Sequence, residues 1–171
     1  LNQMAEDGFV AVHDAGLDTS MMRALEQLEE QNLLPIRVYG MLSLRDESLM
    51  EKWINKGPDE DIDSMLVTRS VKAYYDGALG SRGARLLSDY SDLPGHRGIS
   101  GNGYGFNEVL MTRAMQKGFQ VAIHAIGDAG NREVLDILER VFDESPSTKS
   151  NRHRIEHAQI LHPDDLPRLG Q

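Results

Sequence analysis

The chain has 171 residues, enough for one domain with a sizeable core, and its 40% hydrophobic and 26% charged residues with 16 Gly and 6 Pro describe a globular protein. A formal net charge of -9 disfavours nucleic acid and anionic membrane surfaces as partners, and no apolar run approaches the roughly 20 residues of a membrane span. The absence of cysteine excludes a disulfide framework and thiolate metal sites. The compartment stays open on these grounds, with a cytoplasmic one the expectation.

In chain order, residues 8–12 (GFVAV) form a short β-rich run that ends in a polar, Gly-bearing turn over 13–16. A helix is predicted over 19–32, with Met22, Leu25 and Leu28 at helical spacing and Glu26, Glu29 and Glu30 outward. A second strand is predicted over 36–41, a helix over 46–55 stopped by Lys56-Gly57-Pro58, and a third strand over 71–75. Residues 77–107 break this rhythm, being Gly-rich and poor in periodic apolar residues; a loop of that length in a compact domain is usually functional. There follow a helix over 107–117, a strand over 119–124, a helix over 132–142 and a strand over 154–158. His162-Pro163-Asp164-Asp165 then offers a cap for a last helix. Strands separated by helices make a parallel α/β sheet, and the pattern fits either an open doubly wound sheet or part of a closed (β/α) barrel.

Functional groups of parallel sheets collect at the C-terminal ends of the strands. That rule singles out His13 and Asp14, Lys72 and Asp76, His124 and Asp128, and Glu156 and His157. His124 and His157 stand 33 residues apart, close to the length of one βαβ unit, so two imidazoles would enter the same space from adjacent strands. Neutral imidazole suits Zn, Mn, Co or Fe, whereas a single strand-end His is more often only a hydrogen-bonding residue. Lys72 lies in a strand whose neighbours should be buried. The ordinary reading is a salt bridge to Asp76 or an exposed side chain; the functional one is a deprotonated amine that adds carbon dioxide to give an anionic carbamate.

Residues 71–82 (VKAYYDGALGSR), 124–128 (HAIGD) and 154–159 (RIEHAQ) resemble three successive signatures of the amidohydrolase superfamily. Within it the sequence is similar to the YtcJ-like branch, which includes N-substituted formamide deformylase. Residues 8–16 (GFVAVHDAG) and 36–42 resemble that branch's second and third strands. The resemblance implies a partial (β/α)8 TIM-type barrel, with residues 1–171 as the central part, strands two to six, of one hydrolase barrel. It implies Lys72, His124 and His157 as metal ligands, with Lys72 able to be carboxylated. It also implies Asp76, Gly80 and Arg82 beside the substrate pocket, and Asp128 behind the ligands or, equally, as a helix N-cap. The cofactor so implied is one or two divalent ions, Zn first with Mn, Fe or Co as alternatives. The activity is hydrolysis of an amide or other C–N bond in a small-molecule substrate.

The sequence departs from the pattern by having no His-x-His pair and no counterpart of the strand-eight Asp that serves as general base. A full barrel needs about 250 residues. The expectation is therefore a fragment lacking N-terminal and C-terminal segments, inactive by itself and prone to self-association through open sheet edges. Two other classes are carried as alternatives. One is a nucleotide-binding module built on Gly127-Asp128-Ala129-Gly130, which lacks the G-x-G-x-x-G spacing and a P-loop Lys. The other is a non-catalytic α/β scaffold.

Overall fold

The computed structural model describes residues 1–61 and 63–170. Five strands, β1 (Ala11–Leu17), β2 (Arg37–Ser43), β3 (Leu66–Tyr74), β4 (Gln120–Ala125) and β5 (Arg154–His157), pair in parallel in sequence order. The sheet curls into a half-barrel, and helices alternate with the strands. Sequential order with all neighbours parallel is the arrangement of a barrel wall; a doubly wound sheet reverses its order at a switch point. Among the described residues β1 and β5 remain edges.

The helices are α1 (Asn2–Glu6), α2 (Thr19–Glu30), α3 (Glu47–Lys56), α4 (Glu108–Gln116) and α5 (Asp128–Glu144). Asp18, Asp46 and Asn107 cap the starts of α2, α3 and α4 by accepting the backbone N–H of Met21, Leu49 and Leu110. Asp46 also accepts from the N–H and hydroxyl of Thr19, so one carboxylate ties the starts of two helices together. Helices α2, α3 and α4 each bury one stripe: Met22 and Leu25 in α2; Leu49, Met50, Trp53 and Ile54 in α3; Leu110, Met111, Ala114 and Met115 in α4. These meet Val38, Leu42, Val71, Ala73, Val121 and Ile123 from the strands in one continuous core. The outward placement expected of Glu29 does not hold, because its carboxylate accepts the N–H of Leu66 and closes the start of β3.

Several boundaries differ from the sequence reading, among them the start of α5, which lies at Asp128 rather than 132. Strand β1 continues through His13-Asp14-Ala15, where a turn was expected, and its register shifts only between Ala15 and Leu17. Gly16 makes this possible: it adopts φ +100, and a Cβ there would stand 3.3 Å from the Tyr74 hydroxyl. Strand β3 starts at Leu66, with its own register shift against β2 at Gly40/Met41 leaving Arg69 unpaired and exposed. The last segment, Pro163–Gly170, is a 3-10 helix.

Candidate metal centre at the strand ends

Alternation along β3 and β4 sorts the side chains by face. Val71 and Ala73, like Val121, Ile123 and Ala125, join the helix-covered core. Lys72, Tyr74 and His124 therefore face the concave side, as does Glu156, the register partner of His124. His124 and His157 come together, with ring centroids 4.6 Å apart and an interplanar angle of 71°. The Tyr74 ring lies 5.6 Å from that of His124, and the Lys72 ammonium 4.8 Å from the Tyr74 centroid. The three ligand candidates thus border one space.

Lys72 is 5% exposed, and its Nζ has no hydrogen-bond partner; His124 Nε2 is likewise buried without one. The salt bridge between Lys72 and Asp76 is not formed. Burial pulls the Lys72 ammonium below its ordinary 10.5; Glu156 opposes the shift and Arg154 adds to it. Burial, then the neighbouring His157, pushes His124 below its ordinary 6.5. Both shifts favour neutral nitrogen, the form that donates a lone pair. His157 and Ala158 take positive φ, +74 and +42, a conformation that non-glycine residues adopt only where surrounding structure enforces it. Among the described residues no group of three His, Cys, Asp or Glu side chains forms a cage. A cation here would be held by two imidazoles and an oxygen carried on Lys72, and the partnerless buried nitrogens fit that need.

Asp76 is the buried anchor of the site. It is fully buried, and its carboxylate accepts the backbone N–H of Arg85, Ile126 and Gly127, each at 2.9 Å, with His124 Nε2 3.5 Å away. It joins the end of β3, the end of β4, the start of α5 and the loop after β3. Gly127 permits this joint: a Cβ there would lie 1.8 Å from the Arg85 carbonyl. The nucleotide alternative is weakened too, because the N–H groups around the start of α5 are spent: those of Ile126 and Gly127 on Asp76, that of Ala129 on Asp128 and that of Gly130 on the Arg85 carbonyl.

Gly80 is exposed with open space around its Cα, and Arg82 is an exposed side chain bonded twice to Asp92. Neither is hydrogen-bonded or ion-paired to Lys72, His124 or His157. Asp128 is not an N-cap: it is the first residue of α5 after Gly127, and its carboxylate accepts from Leu87 and Ala129. Tyr74 was passed over in the sequence, although alternation from Lys72 points to it, whereas Glu156, singled out as a strand-end group, stands in register with His124.

The Amidohydrolase family model matches residues 1–171. Protein LONG AFTER FAR-RED 3 of Arabidopsis thaliana is 35% identical over 130 residues, 76% of this chain and 20% of that protein. Putative amidohydrolase YtcJ of Bacillus subtilis is 34% identical over 102 residues, 60% of this chain and 18% of that protein. The solved structures of uncharacterized metal-dependent hydrolases from Pyrococcus furiosus and Pyrococcus horikoshii superpose with TM-scores of 0.81 and 0.77, each at 29% identity. Both cover 98% of this chain, which spans 34% and 32% of theirs. The chain thus spans about a fifth of the curated relatives and a third of the solved ones. With a family model matched from end to end on a parallel half-barrel, the chain belongs to the amidohydrolase family.

Proposed function

We propose that Lys72, His124 and His157 form part of a divalent-metal centre that hydrolyses an amide or other C–N bond in a small molecule. The observation that carries this reading is the partnerless, buried Lys72 Nζ on the same concave rim as two imidazoles 4.6 Å apart. A buried amine left without a partner costs free energy, and a cation with its ligand oxygen would remove that cost. His124 and His157 would donate ring nitrogens, and Asp76 lies 3.5 Å from His124 Nε2. The neutral Lys72 amine adds to carbon dioxide, forms an N–C bond and releases a proton, leaving an anionic oxygen ligand. A divalent cation held there supplies Lewis-acid polarisation of a carbonyl and lowers the pKa of water. Zn is the first candidate, and Mn, Fe and Co accept the same donors.

We propose that the 171 residues alone turn over no substrate, because the sequence offers no counterpart of the strand-eight Asp that the family resemblance implies as general base. The unpaired edges β1 and β5 lead copies to associate; a monodisperse monomer in light scattering refutes that. The centre itself is tested by metal content, measured by plasma mass spectrometry, of the wild type and the His124→Ala/His157→Ala double variant. About one equivalent in the wild type and none in the variant is expected. Equal content in both, or none in either, refutes the centre for these residues.

A further inference from the structure

Beyond the ligand candidates, the row of side chains on the strand ends continues to β2. Arg45 follows β2 by two residues, and the pairing continues past the strand, with the Leu44 N–H donating to the Lys72 carbonyl. The Arg45 guanidinium carbon lies 4.7 Å from the Tyr74 ring centroid and 5.1 Å from that of Tyr104. The other neighbours of the Tyr74 ring are Lys72 at 4.8 Å and His124 at 5.6 Å. One tyrosine ring therefore links an arginine to the candidate centre.

Arg45 is exposed, and its one hydrogen bond is from Nη2 to the Tyr104 carbonyl at 2.8 Å. Among the described residues it makes no ion pair, although the molecule carries a net charge of -9. Arg82, Arg85, Arg113 and Arg154 each sit against a carboxylate. Two aromatic neighbours hold the guanidinium by cation–π attraction and leave N–H donors unspent. A planar fork with spare donors matches a carboxylate, which it can grip through two parallel hydrogen bonds. A ligand reaching from the ring of His124 past Tyr74 would meet it.

We propose that Arg45, held between Tyr74 and Tyr104, binds a carboxylate of the substrate, which makes the substrate a carboxylate-bearing amide. The inference rests on the proposed hydrolytic centre for its amide end only. It assigns Arg45 a binding role, with Tyr74 as the spacer that sets the distance between the carboxylate and the bond to be broken.

The test compares succinamate with its neutral counterpart succinamide, each titrated into the chelator-treated chain and followed by the tyrosine ring resonances. The wild type is expected to bind succinamate at least about tenfold more tightly, the advantage of a charge-assisted contact over a neutral one. Arg45→Gln should erase the preference, and Arg45→Lys should keep part of it because the charge survives without the fork. Equal binding of both probes, no binding of either, or an intact preference in Arg45→Gln overturns the proposal. A role confined to pinning Tyr104 would weaken both probes alike in Arg45→Gln. The metal content of the same preparations is read separately, before the chelator is added. Loss of metal uptake with the preference intact refutes the hydrolytic centre and leaves the anion site standing; the reverse refutes the anion site alone.

Discussion

The two faces of the curled sheet are made from alternate residues of the same strands, yet they meet opposite chemical demands. Toward the helices, Val71, Ala73, Val121, Ile123 and Ala125 are fully buried and carry no polar side-chain atom. Toward the concave side, the same strands present Ser70, Lys72, Tyr74 and His124, and Ser70 Oγ, Lys72 Nζ and His124 Nε2 are buried without partners. The first face supplies packing and area removed from water. The second spends part of that stability on groups held ready for a ligand. Stability and chemistry are thus separated by one residue step along β3 and β4, and a substitution at position i should behave unlike one at i+1.

Ile123→Ala should give the largest effect. It removes three buried carbons from the packed face and is expected to cost about 2–4 kcal/mol in urea unfolding. Lys72→Met, on the other face, should cost nothing or add about 1 kcal/mol in the metal-free chain, because it replaces a partnerless buried amine with an apolar side chain of similar length. The same variant should lose metal uptake. Should Lys72→Met destabilise the metal-free chain as much as Ile123→Ala, the division between the faces would be wrong.

How far the sequence revealed this division varies along the chain. The apolar periodicity of α3 and α4, each preceded by a capping Asp or Asn and followed by Gly, placed both helices within a residue or two. Strand β4 was legible because residues 119–124 are apolar apart from Gln120 and His124. Strand β1 was misread at its end because Asp14 and Gly16 are turn residues by local preference, whereas here the edge strand accommodates them and the Gly16 φ clears the Tyr74 hydroxyl. The first half of β3 was missed because Arg69 interrupts the apolar pattern at a register shift, a feature of pairing rather than of composition. His124 and His157 were brought together as their spacing implied. What Asp76 does was invisible, since its partners are backbone N–H groups 9 to 51 residues away, and backbone donors leave no signature in a sequence. Arg45 was hidden for a related reason: only strand pairing reveals that a residue just past β2 lies over Tyr74.

The smallest effect sharpens the comparison by setting one histidine against another. His153, in the loop before β5, is half-buried like His124, but both its nitrogens are satisfied. Its Nδ1 accepts the Val121 N–H at 3.1 Å, which requires the proton on Nε2, and that nitrogen donates to the Thr148 carbonyl at 2.9 Å. The ring stacks on Phe142, so it belongs to the packed side of the molecule. Burial holds its pKa below the ordinary 6.5, against the pull of the Thr148 hydrogen bond. Below pH 6.5 the unfolded chain therefore takes up a proton at this residue before the folded chain does. The unfolded state then binds more protons, so stability falls as pH drops through that window and is complete above it. Urea midpoints at pH 7.5 and 5.5 should fall further for the wild type than for His153→Asn, which keeps an acceptor for Val121 and does not titrate. An equal fall in both proteins would mean that the His153 ring takes a proton in the folded state as easily as in the unfolded one, and its two hydrogen bonds would then not be holding a neutral tautomer.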